Sequence, residues 1–377
     1  MRLPRVEDFE VRSRGEHVTS RVGLVLGIAF AVCFLTGIWS HLQYDPPRWA
    51  PIGPAPASLY RLTQGVHVVT GLACIPLVLV KLFSVFPRLF VRPPRPVGER
   101  LVHGIERGSI LVLVGSSLFL LVSGALNVVQ WYPWSFSFRA THHAMAWVAI
   151  GSVLVHVAVK LPVIARGLAP IAEDEEPVGD GPGRRDVLRV GVLASLATVV
   201  LTAGQAVPWL RGVSVFAIRD GSGQQGLPVN RTAEAAGATE AAQDPGFRLI
   251  VRGEGREVEL SRDDLLALPQ RTHRLPIACV EGWSREAEWT GVAVRDLLSL
   301  VGARFDADVA VGSLQTRGAF ASSELPGRFV ADTRTILALQ LNGEDLSLDH
   351  GYPCRIIAPN RPGVLQTKWV QSLEVRA

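Results

Sequence analysis

The stretch PIACVEGWS, Pro276–Ser284, sets one cysteine, Cys279, between an apolar run and a Glu-Gly-Trp turn. RLPIACVEG reads as a buried strand, because apolar residues run unbroken into a turn signal. Short elements surround it. FRLIVRG and REVELS alternate as strands, and RDDLLAL is a short helix with acidic residues in its first turn. VRDLLSLVG is a helix ending at Gly302, and ADVAVGSL, CRIIAP and WVQSLEVR are further strands. From Phe247 onward the pattern predicts a mixed, strand-rich α+β domain.

Upstream the composition changes. Five apolar runs, near Val22–Leu42, Val66–Phe86, Ser109–Val129, Met145–Leu161 and Val187–Val207, each approach the ~20 residues a membrane helix needs. A charged arm precedes the first run, which predicts no cleavable signal peptide. Basic residues cluster in that arm (Arg2, Arg5, Arg12, Arg14, Arg21), after the second run (Lys81 to Arg107) and after the fourth (Arg166 to Arg189). The intervening connections hold only Arg48, Arg61 and Arg139. Basic segments mark the cytoplasmic side, so five spans place the C-terminal domain outside a bacterial cell membrane. The net charge of +4 in 377 residues comes from these anchors and gives no argument for nucleic-acid binding. Cys33 and Cys74 lie in spans as small apolar residues, and Cys279 and Cys354 lie outside them.

Coordinating side chains in a bilayer are costly and point to function. His67 lies at the outer end of the second span, and the fourth, THHAMAWVAIGSVLVHVAVK, carries His142 and His156. Fourteen helical residues make ~21 Å of rise and almost four full turns, so both imidazoles leave nearly one face, one toward each membrane surface. That suits two stacked haems between facing helices. The pattern resembles the four-helix di-haem cytochrome b subunits of formate dehydrogenases and hydrogenases. The resemblance implies an outer haem b on His67 and His142 and an inner one on His156 and His17. His103, before the third span, competes for the inner position.

Between the fourth and fifth spans, GRRDVLRVGVL resembles a twin-arginine export signal at Arg184 and Arg185, a route for folded domains with cofactors inserted. The alternative is that the pair anchors the span. Arg219–Pro245, rich in Gly, Gln and Ala, reads as a linker apart from LPVNRTA. The expected organisation is a four-span cytochrome b-like domain over 1–168, then a cytoplasmic linker and fifth span over 169–208. An extracytoplasmic linker follows over 209–245 and the exterior domain over 246–377.

Beyond PIACVEGWS come WTGVAVRDLL and LALQLNGEDLSLDHGYPCRIIAPNRPGVLQTKWVQSLEV. In order and spacing this series resembles the sulfite oxidase family of molybdopterin enzymes. The resemblance implies that Cys279 ligates molybdenum, a role suited to a soft thiolate. It implies that Asn230, Ser313, His350, Arg355, Gln366, Thr367 and Lys368 hold the pterin and its phosphate. CVEGWS lacks the arginines that follow the cysteine of sulfite oxidases and is closer to the periplasmic methionine sulfoxide reductase branch. Arg285 and Arg317 keep an anionic substrate open.

These features predict a membrane-bound oxidoreductase exchanging an oxygen atom with a small or protein-borne substrate, and electrons with a quinone or quinol through the haems. Membrane lipid is the other expected partner. The rivals are a sulfite dehydrogenase, a membrane cytochrome with a metal-free binding domain, and a haem-free transporter-like bundle. A receptor reads the guanidinium fork, whereas membrane orientation counts charge. Arg184→Lys with Arg185→Lys should therefore leave the C-terminal domain protease-protected in intact spheroplasts if the pair is an export signal. Digestion of the domain would make the pair an anchor.

Overall fold

A computed structural model describes residues 15–47, 49, 51–92, 94, 96–170, 183–217 and 223–376. The arm residues Arg2, Arg5, Arg12 and Arg14, the acidic connection 171–182, and Arg48, Arg95 and Arg219 lie outside them; of Arg184 only the backbone is described. The chain divides into two compact units, and the division does not follow chain order. One comprises Met1–Ile38, Val66–Gly204 and Leu210–Ala217; the other comprises Trp39–Gly65, Gln205–Trp209 and Ile218–Ala377.

The first unit is built on helices α1 (Glu16–Tyr44), α2 (Leu59–Val85), α3 (Val97–Val128), α4 (Phe138–Leu168) and α5 (Arg184–Thr202). All five are long and apolar enough to cross a membrane. Their polarity is arranged as in a lipid environment: Leu111, Leu154 and Val159 face outward, while Ser116, Ser117, Ser123 and Asn127 of α3 are buried. Buried small and polar residues therefore share the helix contacts with apolar ones such as Val22, Leu77 and Val78, as expected where lipid supplies no hydrophobic drive between helices.

The second unit opens with two short helices, α6 (Ala233–Ala236) and α7 (Thr239–Gln243). Then follow β1 (Leu249–Gly253), β2 (Arg256–Leu260), α8 (Arg262–Ala267), β3 (Gln270–Ala278), β4 (Ser284–Ala293) and α9 (Val294–Ser299). The chain continues through β5 (Val309–Ser313), β6 (Ser322–Leu325), α10 (Gly327–Val330), β7 (Ile336–Leu341), β8 (Glu344–Asp345), β9 (Arg355–Ile357) and β10 (Val370–Val375). One sheet has the order β2-β1-β10-β5-β6; the other runs β3-β4-β7-β8, with β9 also on β7. All pairs are antiparallel except β1 with β10. This is the expected α+β domain. Ser261 and Asp264 cap the start of α8 reciprocally.

Leu249, Val251, Leu297, Leu298, Leu337 and Leu373 belong to the main core. A second core gathers Ile277, Trp289, Leu341 and Ile357 around Cys279 and Trp283. The linker expected over Arg219–Pro245 is corrected by a third cluster, in which Ala233, Ala236, Ala238 and Ala242 are buried against Trp369. Helices of four and five residues show no period in sequence, and alanine buries little area per residue, so low hydropathy concealed a packed segment.

Candidate functional site

Cys279 follows β3 and opens a five-residue turn to β4. Its N–H donates to the Trp283 carbonyl at 3.0 Å and its carbonyl accepts from Gly282 N–H at 3.0 Å. Gly282 holds φ +83, a left-handed conformation that glycine adopts without strain. The Trp283 indole donates to the Glu281 carboxylate at 3.3 Å. The turn thus carries its cysteine, 1% exposed, on a closed backbone loop.

One pocket brings together Cys279, Asn230, His350, Arg355 and Lys368, with Trp283 beside the cysteine. The Asn230 amide nitrogen lies 4.0 Å from the Cys279 sulfur. Arg355 donates to the carbonyls of His350 (2.9 Å) and Gln366 (3.2 Å), and its guanidinium lies over the Trp289 ring, 5.2 Å from the centroid. The Lys368 ammonium donates to the carbonyls of Arg231 (2.7 Å) and Asp349 (2.8 Å). Gly351, at φ +113, sits where a Cβ would come within 3.1 Å of both Arg355 and Lys368, which lets the two cations converge.

Neither cation makes an ion pair among the described residues. Burial lowers the Arg355 pKa to about 9. Burial, with the Arg355 charge adding to it, lowers Lys368 to about 7. His350, mainly through burial, falls to about 4 and is neutral at pH 7. Its Nε2 donates to the Gln224 carbonyl at 2.8 Å. Arg355 Nε and Gln366 Oε1 are buried without a partner. Two buried cations held by carbonyl dipoles and the Trp289 face, without an ion pair among the described residues, fit an anionic group such as a pterin phosphate.

Three expected residues do not line the pocket. Ser313 Oγ donates to the Lys368 carbonyl at 2.7 Å, Thr367 pairs with Ser323 at 2.6 Å, and the Gln366 amide donates to the Arg361 carbonyl at 2.9 Å. They brace the strand and turn that carry Lys368 and Arg361. Gly363, Leu227, Pro228 and Ile277 do line it and were not singled out from sequence. Their only signal was position beside the motifs. Cys354 is buried, with its thiol pKa raised by burial, and all four cysteines are thiols.

In the helical unit, His67 of α2 and His142 of α4 face each other with ring centroids 6.3 Å apart. His67 Nδ1 donates to the Cys33 carbonyl at 2.9 Å. His142 Nδ1 lies 3.2 Å from Ser123 Oγ, whose own proton goes to the Leu120 carbonyl. The His67 ring therefore carries its proton on Nδ1, which leaves its Nε2 with its lone pair. A Cβ at Gly37 would come within 3.0 Å of the His67 ring, so glycine there makes room for the imidazole.

His17 and His156 are not brought together. His17 Nδ1 bonds the Gly167 carbonyl at 3.1 Å, and Gly167 lies eleven residues, or ~16 Å of helical rise, beyond His156. On α3, Glu106 pairs with Lys160 of α4 and interacts electrostatically with both His103 and His156. His103 Nε2 is buried with no partner.

Residues 236–377 match the oxidoreductase molybdopterin binding domain family. The chain thus carries a molybdopterin-binding oxidoreductase domain, whose match begins within α6, inside the stretch first taken for a linker. It is 34% identical over 130 residues (34% of this chain, 48% of the relative) to a protein of Azospira oryzae provisionally named protein-methionine-sulfoxide reductase subunit YedZ1. It is 30% identical over 116 residues (30% and 57%) to the uncharacterized oxidoreductase YuiH of Bacillus subtilis. To mitochondrial sulfite oxidase of Mus musculus it is 26% identical over 243 residues (56% and 41%). The chain spans about half the length of the curated relatives it matches.

In cofactor-free protein, Lys368 is protonated up to about pH 10.5 when unfolded but only to about 7 when folded. Between these values the unfolded state binds more protons, so folding stability rises with pH across that window. The thermal midpoint should climb from pH 7 to 10, and Lys368→Met should flatten the climb. An unchanged slope in the variant would remove Lys368 as its source.

Proposed function

We propose that this chain is a membrane-bound molybdopterin-dependent oxidoreductase that reduces a sulfoxide outside the membrane, with electrons drawn from quinol through b-type haems. The observation that carries this is the pocket joining the Cys279 thiol to two buried cations with no carboxylate partner. Arg355 and Lys368 would hold the pterin phosphate with neutral His350 beside them, and Cys279 would ligate molybdenum. When bound, the group would supply two-electron oxygen-atom-transfer chemistry.

The chain's own residues shape the substrate end. Around Cys279 the wall is Trp283, Ile277, Leu227 and Pro228, with Asn230 as the polar group. An amide N–H there can donate to a sulfoxide oxygen, and an apolar wall favours a neutral substrate over a sulfite dianion. Arg285 is buried on β4 and does not line the pocket. In balance, a sulfoxide, two electrons and two protons give a sulfide and water. The methionine sulfoxide reductase named among the relatives supports this substrate class; the sulfite oxidases among them support the same oxygen-atom chemistry run toward oxidation.

For the membrane part, the facing rings of His67 and His142 would hold one haem iron between them. The inner haem takes His156 with His103 rather than His17, because His17 bonds the Gly167 carbonyl about three helical turns from His156 and His103 Nε2 is buried with no hydrogen-bond partner among the described residues. Orientation with the C-terminal domain outside follows the basic connections.

Purified full chain should contain molybdenum, and methionine sulfoxide should reoxidise its reduced haems. Cys279→Ser should abolish reoxidation while the Soret band stays. Reduction of the haems by sulfite with no response to sulfoxide would identify a sulfite dehydrogenase, and absence of molybdenum a binding domain. Separately, His103→Ala should halve the haem content and His17→Ala leave it unchanged. The reverse result would assign the inner haem to His17.

A further inference from the structure

Trp39–Gly65, which holds the last residues of α1, the α1–α2 connection and the first turns of α2, belongs to the same compact unit as residues 218–377. Its attachment centres on Asn360, which follows β9, is 3% exposed and takes φ +53. Every polar group of this residue engages the segment except its own carbonyl. The side-chain oxygen accepts from Gln43 Nε2 and from Tyr60 N–H, both at 2.8 Å. The side-chain nitrogen donates to the Gly53 carbonyl at 2.8 Å, and the backbone N–H donates to the Ala57 carbonyl at 3.1 Å. Arg328 donates to the Ile52 carbonyl, and Arg61 pairs with Glu286 at 3.4 Å. Ala57 packs on the cluster containing Cys279 and Trp283.

One helical turn beyond Tyr60 stands Gln64, 7% exposed. Its amide nitrogen donates to the carbonyl of Val280, the residue after Cys279, at 3.4 Å. Its amide oxygen accepts from Ser40 Oγ at 3.0 Å. A carbonyl can only accept, so Val280 fixes which end of the amide faces it, and Ser40 holds the other. The contact falls on the turn whose two internal hydrogen bonds set the direction of the Cys279 side chain.

We propose that Gln64 is a positioning residue for Cys279: it restrains the Val280 carbonyl and thereby the thiolate, and Asn360 clamps the α1–α2 connection that delivers it. The inference rests on Cys279 being the molybdenum ligand. Groups that orient a metal ligand typically change activity 10–100-fold when removed.

The test is Gln64→Met in the full chain, a substitution that keeps length and apolar packing while deleting both hydrogen bonds. Expected are an altered Mo(V) electron paramagnetic resonance signal at unchanged molybdenum content, and a kcat for sulfoxide lowered by about tenfold or more with KM little changed. Gln64→Glu keeps the acceptor for Ser40 but sets an oxygen against the Val280 carbonyl, so it should reproduce the altered signal. A wild-type signal and kcat in both variants would overturn the role of Gln64 and leave the function standing. A wild-type chain that binds no molybdenum would overturn the function itself, and this role with it. If Gln64→Met takes up no metal, Ser40→Ala decides, because it frees the amide without removing it. A shifted signal then supports the positioning role, and an unshifted one overturns it.

Discussion

Burying a guanidinium and an ammonium in one pocket is unfavourable unless both are compensated, and here the compensation is main-chain. Arg355 is held by the carbonyls of His350 and Gln366, and Lys368 by those of Arg231 and Asp349. Those four carbonyls belong to three separate stretches of chain, so the pocket requires the turn before β9, the turn before β10 and the segment leading into α6 to meet. Carbonyl dipoles only partly offset the charge, which is why both pKa values fall. Around this requirement the two sheets and the buried alanine helices take their places.

The same economy of partners governs the helical unit. A histidine ring in an apolar bundle needs its donor satisfied, and the Cys33 carbonyl does that for His67, while Ser123 Oγ sits beside His142 Nδ1. The consequence is chemical as well as structural. Fixing the proton on Nδ1 leaves the lone pair of Nε2 for a metal, and the restricted ring orientation lowers the entropy of binding one. Glycine at position 37 is part of this arrangement, since any side chain there would strike the imidazole.

Much of the fold was legible from hydropathy and motif order. Five long apolar runs announced the helices, and strand alternation with turn residues announced the α+β domain. RDDLLAL, with acidic residues in its first turn, announced α8. The site was legible where chemistry is concentrated in single side chains, as at Cys279, Asn230, His350, Arg355 and Lys368. It was not legible where a side chain's use depends on its direction. Ser313, Gln366 and Thr367 belong to the motifs yet turn to carbonyls and hydroxyls behind the pocket. Ala233–Ala242 carried no period because its helices are too short for one.

What the sequence by itself determined is the set of elements and the kind of chemistry, because apolar runs of membrane length and a cysteine within an ordered motif series depend only on local residue order. What the tertiary structure decided is which groups meet. His17 bonds Gly167 and stands about three turns from His156, whereas Glu106 of α3 pairs with Lys160 of α4. Asn360 binds a connection some three hundred residues earlier, and Gln64 of that connection reaches the carbonyl next to Cys279. Pairings at such separations arise from packing, and no spacing along the chain encodes them.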